Sequence, residues 1–149
     1  MESGTLEVLF ITNFSMNIEV NYLAVVVAAV SSTVVGSLWY GPLFGKQWMA
    51  LAGLSKEKLA QDKPNMGKLY AAQAVASLVM AYVLFHFTAP AESLSMALEW
   101  TVWIWLGFVA TVTLGNVLWH GRPRALWALE NAYYLVTLFI MTAILYSWN

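Results

Sequence analysis

The sequence predicts an all-α protein, a four-span transmembrane helical bundle with a short interfacial helical loop between spans one and two. Three observations predict it. Hydrophobic residues fill 60% of the 149 positions and charged residues only 10%, for a mean hydropathy of +0.66. A water-soluble domain carries about 25% charged residues to cover its surface. Four uninterrupted apolar stretches reach roughly the 20 residues that a helix needs to cross the hydrocarbon core. Every Lys and Arg falls in two short segments between those stretches, Lys46 to Lys68 and Arg122 to Arg124.

The amino terminus is acidic, with Glu2 and Glu7, where a secretory signal would be basic, and no small-residue cleavage site follows. No cleaved signal is expected. Residues 1–15 are expected to form a poorly defined extension, because the apolar patch from Leu6 to Phe14 is too short to span; Met16 offers an alternative start. The single transmembrane domain is placed at residues 16–149, with spans at about 21–40, 69–89, 99–119 and 125–148. These runs lack the ten-residue alternation of barrel strands, so their backbone groups must be satisfied as helices.

The first span carries Ala24, Ala28, Ser32 and Gly36 at intervals of four, one stripe of small side chains along a helix. Gly107, Thr111 and Gly115 repeat the device on the third span. Such stripes let helix backbones approach in lipid, here for packing inside one protomer or, as the alternative, in a homo-oligomer. After the first span, Gly41-Pro42 is expected to end regular helix. Leu43, Phe44, Trp48, Met49, Leu51 and Leu54 then suit the headgroup region, with the lysines toward anionic lipid. Ser55 is placed as the cap of a second short helix through Gln61, and Pro64 resets the chain before the second span.

Sides follow from the cations. Lys46, Lys56, Lys58, Lys63, Lys68, Arg122 and Arg124 collect in the two loops of one side, while Glu2, Glu7, Glu19, Glu92 and Glu99 lie at the other. Translocating cations against the membrane potential is unfavourable, so the basic side is expected in the cytoplasm and both termini outside. Trp39, Tyr40, Trp48, Tyr70, Trp119 and Trp127 would form the inner aromatic belt, and Tyr22, Trp100, Trp103, Tyr146 and Trp148 the outer one.

The stretch Trp39-Tyr40-Gly41-Pro42-Leu43-Phe44-Gly45-Lys46-Gln47-Trp48, with Gly53-Leu54-Ser55 and Pro64-Asn65-Met66 after it, resembles the signature of the domain of unknown function 1761 family. The resemblance covers residues 17–148 and implies a small, multi-spanning and mostly bacterial membrane protein. It implies no activity, substrate or cofactor. On that basis the expected location is the bacterial inner membrane, with membrane lipids as neighbours.

Glu130 is the only acid well inside a span, where ionisable groups are expensive; Glu99 stands at the outer edge of the third. Asn116, His120, Gln73 and Asn131 fall near its depth, which suggests a polar cluster beneath the inner leaflet, roofed by the Trp39 to Trp48 loop. Three readings of the cluster stay open. Glu130 pairs with Arg122 or Arg124 while the amides only join helices; or Glu130 is a protonatable site that binds or carries a small solute or ion; or Glu130 and His120 act as acid and base, or hold a metal. The enzyme reading ranks last, since two ligands without a third make a poor metal site, and no cofactor is expected. Absence of cysteine removes disulfide and thiol chemistry, and a formal net charge of −1 argues against nucleic acid as a partner. His86 is read as an interfacial aromatic.

Overall fold

A computed structural model describes residues 19–55 and 65–148. The expected extension at residues 1–15 and nearly all of the short helix expected after Ser55 lie outside the described residues. Helix α1 spans Tyr22–Leu38 and widens into a π-turn at Trp39–Leu43; α2 is Gly45–Leu51; α3 is Met66–Thr88. Helix α4, Leu94–Ile104, passes through a second π-turn, Trp105–Ala110, into α5, Thr111–His120, and α6 closes the chain at Arg124–Ser147. Four segments are long and apolar enough to cross a membrane: Tyr22–Leu43, Gly67–Thr88, Leu94–His120 and Arg124–Ser147. The bundle is all-helical, and no strand occurs among the described residues.

Local chemistry sets the ends. The side chains of Asn21, Asn65 and Ser93 accept hydrogen bonds from the backbone N–H of Ala24, Lys68 and Met96, capping α1, α3 and α4. Ser93 therefore starts the third span at Leu94, ahead of the expected residue 99. Gly121 ends α5 in the left-handed region, φ 64°, which glycine adopts without a Cβ penalty. Pro123 then opens α6, and the third and fourth spans lie antiparallel across a three-residue connection.

The Gly41-Pro42 pair does not end the first span. Pro42 lacks the N–H that would bond the Leu38 carbonyl in a regular helix. The chain instead takes a wider turn, in which the Phe44 N–H donates to the Trp39 carbonyl five residues back at 2.8 Å. Helix continuity survives, with one enlarged turn at the basic end.

The fourth span is the hub, touching each of the others. Toward the acidic end of the bundle, Ala24, Val25, Ala28 and Ala29 of α1 pack with Ala81, Leu84 and Phe85 of α3 and with Leu138, Met141 and Leu145 of α6. Small residues on α1 let the larger partners close on its backbone, as the stripe predicts. Thr101 and Thr142 share a 2.8 Å hydrogen bond inside this core, and Asn21 Nδ2 donates to the Trp148 carbonyl at 2.7 Å across the rim. The second stripe behaves differently. Gly107 and Thr111 are exposed on the outer face, and a Cβ at Gly107 would meet nothing within 4 Å, so within this chain the stripe packs no helix.

Candidate functional site

Toward the basic end the packing changes. Ser32 and Ser77 join α1 to α3 through a buried 2.9 Å hydrogen bond, and from residue 76 back to residue 67 every position on α3 is exposed. The helices part below that bond. The gap between them is a cavity of about 650 Å³, lined on α1 by Ser32, Thr33, Gly36 and Ser37 and at the π-turn by Tyr40 and Gly41. Helix α3 contributes Tyr70, Gln73, Ala76 and Met80, α6 contributes Tyr133, Tyr134, Thr137 and Leu138, and Val109 enters from the second π-turn. Both enlarged turns therefore border the same space, a placement such turns often take beside functional sites.

The lining is mostly apolar surface with hydroxyl and amide groups set into it, and among the described residues no Lys, Arg, Asp, Glu or His touches it. Gln73 Nε2 donates to Ser77 Oγ at 3.4 Å, Ser32 Oγ is also within 2.7 Å of the Ala29 carbonyl, and Ser37 Oγ donates to the Thr33 carbonyl at 2.9 Å. Thr137 is the exception at the floor. It is 2% exposed, and its hydroxyl has no hydrogen-bond partner; the Tyr133 hydroxyl stands close without reaching bonding geometry. A buried polar atom left without a partner in an apolar setting is costly enough to need an explanation.

Two residues of the stretch that resembles a family signature, Tyr40 and Gly41, line this cavity. Trp39 packs on Phe44 with ring centroids 4.5 Å apart, Tyr40 meets Trp48 at 5.4 Å and Tyr133 at 5.0 Å, and Tyr133 meets Tyr134 at 5.3 Å. Tilted and edge-on pairs at these separations are favourable. Gly45 is fixed by steric need, since a Cβ there would sit 2.5 Å from the Tyr40 carbonyl oxygen. Gly36 lets the Tyr133 hydroxyl approach to 3.1 Å from where its Cβ would be. Lys46 is exposed beside this aromatic knot, and Pro42 lies within its π-turn.

The five polar residues grouped by depth occupy separate places. Asn131 is 2% exposed and faces the third span: its Nδ2 donates to Thr113 Oγ1 at 3.0 Å and to the Trp127 carbonyl at 2.9 Å. Trp127 Nε1 donates to the same Thr113 oxygen at 3.1 Å, and Trp105 Nε1 donates to the Asn131 carbonyl at 3.0 Å. Glu130, one residue earlier, turns to a smaller pocket of about 240 Å³ shared with Trp48, Leu51, Ala52, Leu54, Arg122, Pro123 and Leu126. Its Oε2 lies 4.0 Å from Arg122 Nη1. With Arg122 about half exposed, such a pair is weak. Gln73 lines the main cavity, whereas Asn116 and His120 lie exposed on the outer side of α5. Among the described residues no group of three or more His, Cys, Asp or Glu is placed to hold a metal ion.

Sequence reasoning missed the cavity. Its signal was the bunching of Ser32, Thr33, Gly36 and Ser37 in the basic half of one span with Tyr133, Tyr134 and Thr137 at matching depth on another.

Fold and site together define a class: a small helical protein of membrane-spanning character, with a cavity between its helices at the basic end. The chain belongs to the family described as Protein of unknown function (DUF1761), whose model matches residues 23–146. No curated protein and no solved structure matches the chain.

Proposed function

We propose that this is a non-enzymatic membrane protein that binds a small solute in the cavity between its first, second and fourth spans, with the basic end in the cytoplasm and both chain ends outside. The cavity carries the reading: about 650 Å³ falls in the range of roughly 300 to 1,000 Å³ typical of small-molecule sites. Binding is better supported than passage, because the acidic half beyond the cavity is filled by the core around Phe85 and Met141. A proton-linked role for Glu130 would have to act from the neighbouring pocket, beside Arg122. Asn131, fully engaged with Thr113 and Trp127, suits the interhelical role of an intramembrane amide.

Native mass spectrometry after gentle extraction tests the site. A small molecule should accompany the wild type and be absent from Gly36→Leu and Ala76→Phe, which fill the cavity from two walls; identical spectra for all three would remove the site. In intact bacterial cells, an impermeant maleimide should label Asn149→Cys and spare Lys58→Cys, and the opposite pattern would invert the topology.

A further inference from the structure

We infer that the ligand of this cavity is an uncharged, membrane-soluble ring compound bearing carbonyl oxygens, of the lipophilic quinone class, held by hydroxyl donors with its ring among the tyrosines. The inference rests on the binding reading above and names the chemistry that the walls select.

Charge is decided first. Among the described residues the lining holds no ionised side chain; Glu130 stands near Tyr40 and Tyr134 but lines the other pocket, facing Arg122. A charged head in this space would lose its hydration without gaining a counter-ion from these walls, a heavy cost. An uncharged head loses far less. The same cost disfavours inorganic ions, phosphate esters and ammonium compounds.

Hydrogen-bond polarity comes next. The hydroxyl protons of Ser32 and Ser37 have acceptors within the protein, on Ala29 and Thr33. The hydroxyls of Tyr40, Tyr70 and Tyr134 make no hydrogen bond to a described residue. Three tyrosines with protons to give line a space whose occupant can accept them. Carbonyl oxygens accept and do not donate, so they match this set better than a polyol, which would bring protons of its own.

Shape gives the rest. Tyr40, Tyr133 and Tyr134 are consecutive ring neighbours, with centroids 5.0 and 5.3 Å apart, and present aromatic surface to a flat head. Ala76, Met80, Val109 and Leu138 supply an apolar wall for a hydrocarbon body. The way in is the gap that opens between α1 and α3 below the Ser32 to Ser77 bond, where exposed Leu69 and Val75 mark surface of the kind lipid covers. A ligand already dissolved in the bilayer reaches the site without crossing water.

Equilibrium dialysis of the purified full-length protein in detergent micelles tests this with three probes: the neutral quinone 2-methyl-1,4-naphthoquinone, the anion 1-naphthoate and the cation tetraphenylphosphonium. The expected result is saturable binding of the quinone at one site per chain and no saturable binding of either ion. Tyr40→Phe, which keeps the ring and removes the donor, should weaken quinone binding about tenfold, the worth of one hydrogen bond. Its circular dichroism and thermal midpoint should match the wild type, which separates a lost donor from a misfolded protein. Glu130→Gln should leave it unchanged. Binding of an ion as tight as that of the quinone, or an unaltered affinity in Tyr40→Phe, overturns the ligand class and leaves the binding site standing. Saturable binding of none of the three overturns the ligand class, and the binding reading falls with it when native spectra of wild type and Gly36→Leu also agree.

Discussion

Toward the acidic end the bundle packs alanine against phenylalanine and methionine, and toward the basic end the same helices leave a cavity of about 650 Å³. One hydrogen bond, Ser32 to Ser77, marks where the first regime gives way to the second. The residues explain the change. On α1 the acidic half offers Ala24, Ala28 and Ala29, which admit a close neighbour, while the basic half offers Thr33, Gly36 and Ser37, with the ring contact of Tyr40 and Tyr133 beyond them. In lipid, where helix association depends on close packing, the dense half holds the bundle together and leaves the open half free of that task.

The sharpest way to break that contrast is to weaken the dense half. Phe85→Ala removes a fully buried ring, 0% exposed, and is expected to cost about 3 to 5 kcal/mol in reversible unfolding from mixed micelles. A loss below about 1 kcal/mol would mean that the acidic half is not the seat of stability. A much smaller effect is expected at the basic end, where Arg122 and Glu130 stand 4.0 Å apart at a partly exposed site. A double-mutant cycle with Arg122→Gln and Glu130→Gln should give a coupling below about 1 kcal/mol, shrinking as salt is raised. A larger, salt-insensitive coupling would make this pocket a structural joint equal to the core.

The fold was legible because its determinants are local in sequence. Hydropathy located all four spans, and Asn21 and Asn65 cap the first two near their expected starts. The stripe on α1 also foretold the dense half. What stayed hidden depends on rotation about the helix axis and on geometry between helices. Glu130 and Asn131 are adjacent in sequence and thus about 100° apart around a helix of 3.6 residues per turn. One meets the short helix α2 at the surface of the bundle and the other meets Thr113 on the third span. Depth alone had placed them together. The π-turns were hidden for a related reason: Pro42 signals an interrupted bond but not whether the chain breaks or widens, and nothing in Trp105 to Ala110 beyond Gly107 marks an enlarged turn. The cavity is what remains when those two turns and the tyrosine pair are placed around α1, so no single segment encodes it.

The contrast between the halves is tested most directly by cysteine accessibility, since the chain contains no cysteine of its own. Single substitutions Ser37→Cys and Gln73→Cys place a thiol on the cavity wall, and Ala28→Cys and Ala81→Cys place one in the dense core. A small water-soluble thiol reagent applied to open membranes should modify the first pair at least tenfold faster than the second. Equal protection at all four positions would show that the basic half is as closed as the acidic half, and would contradict the account.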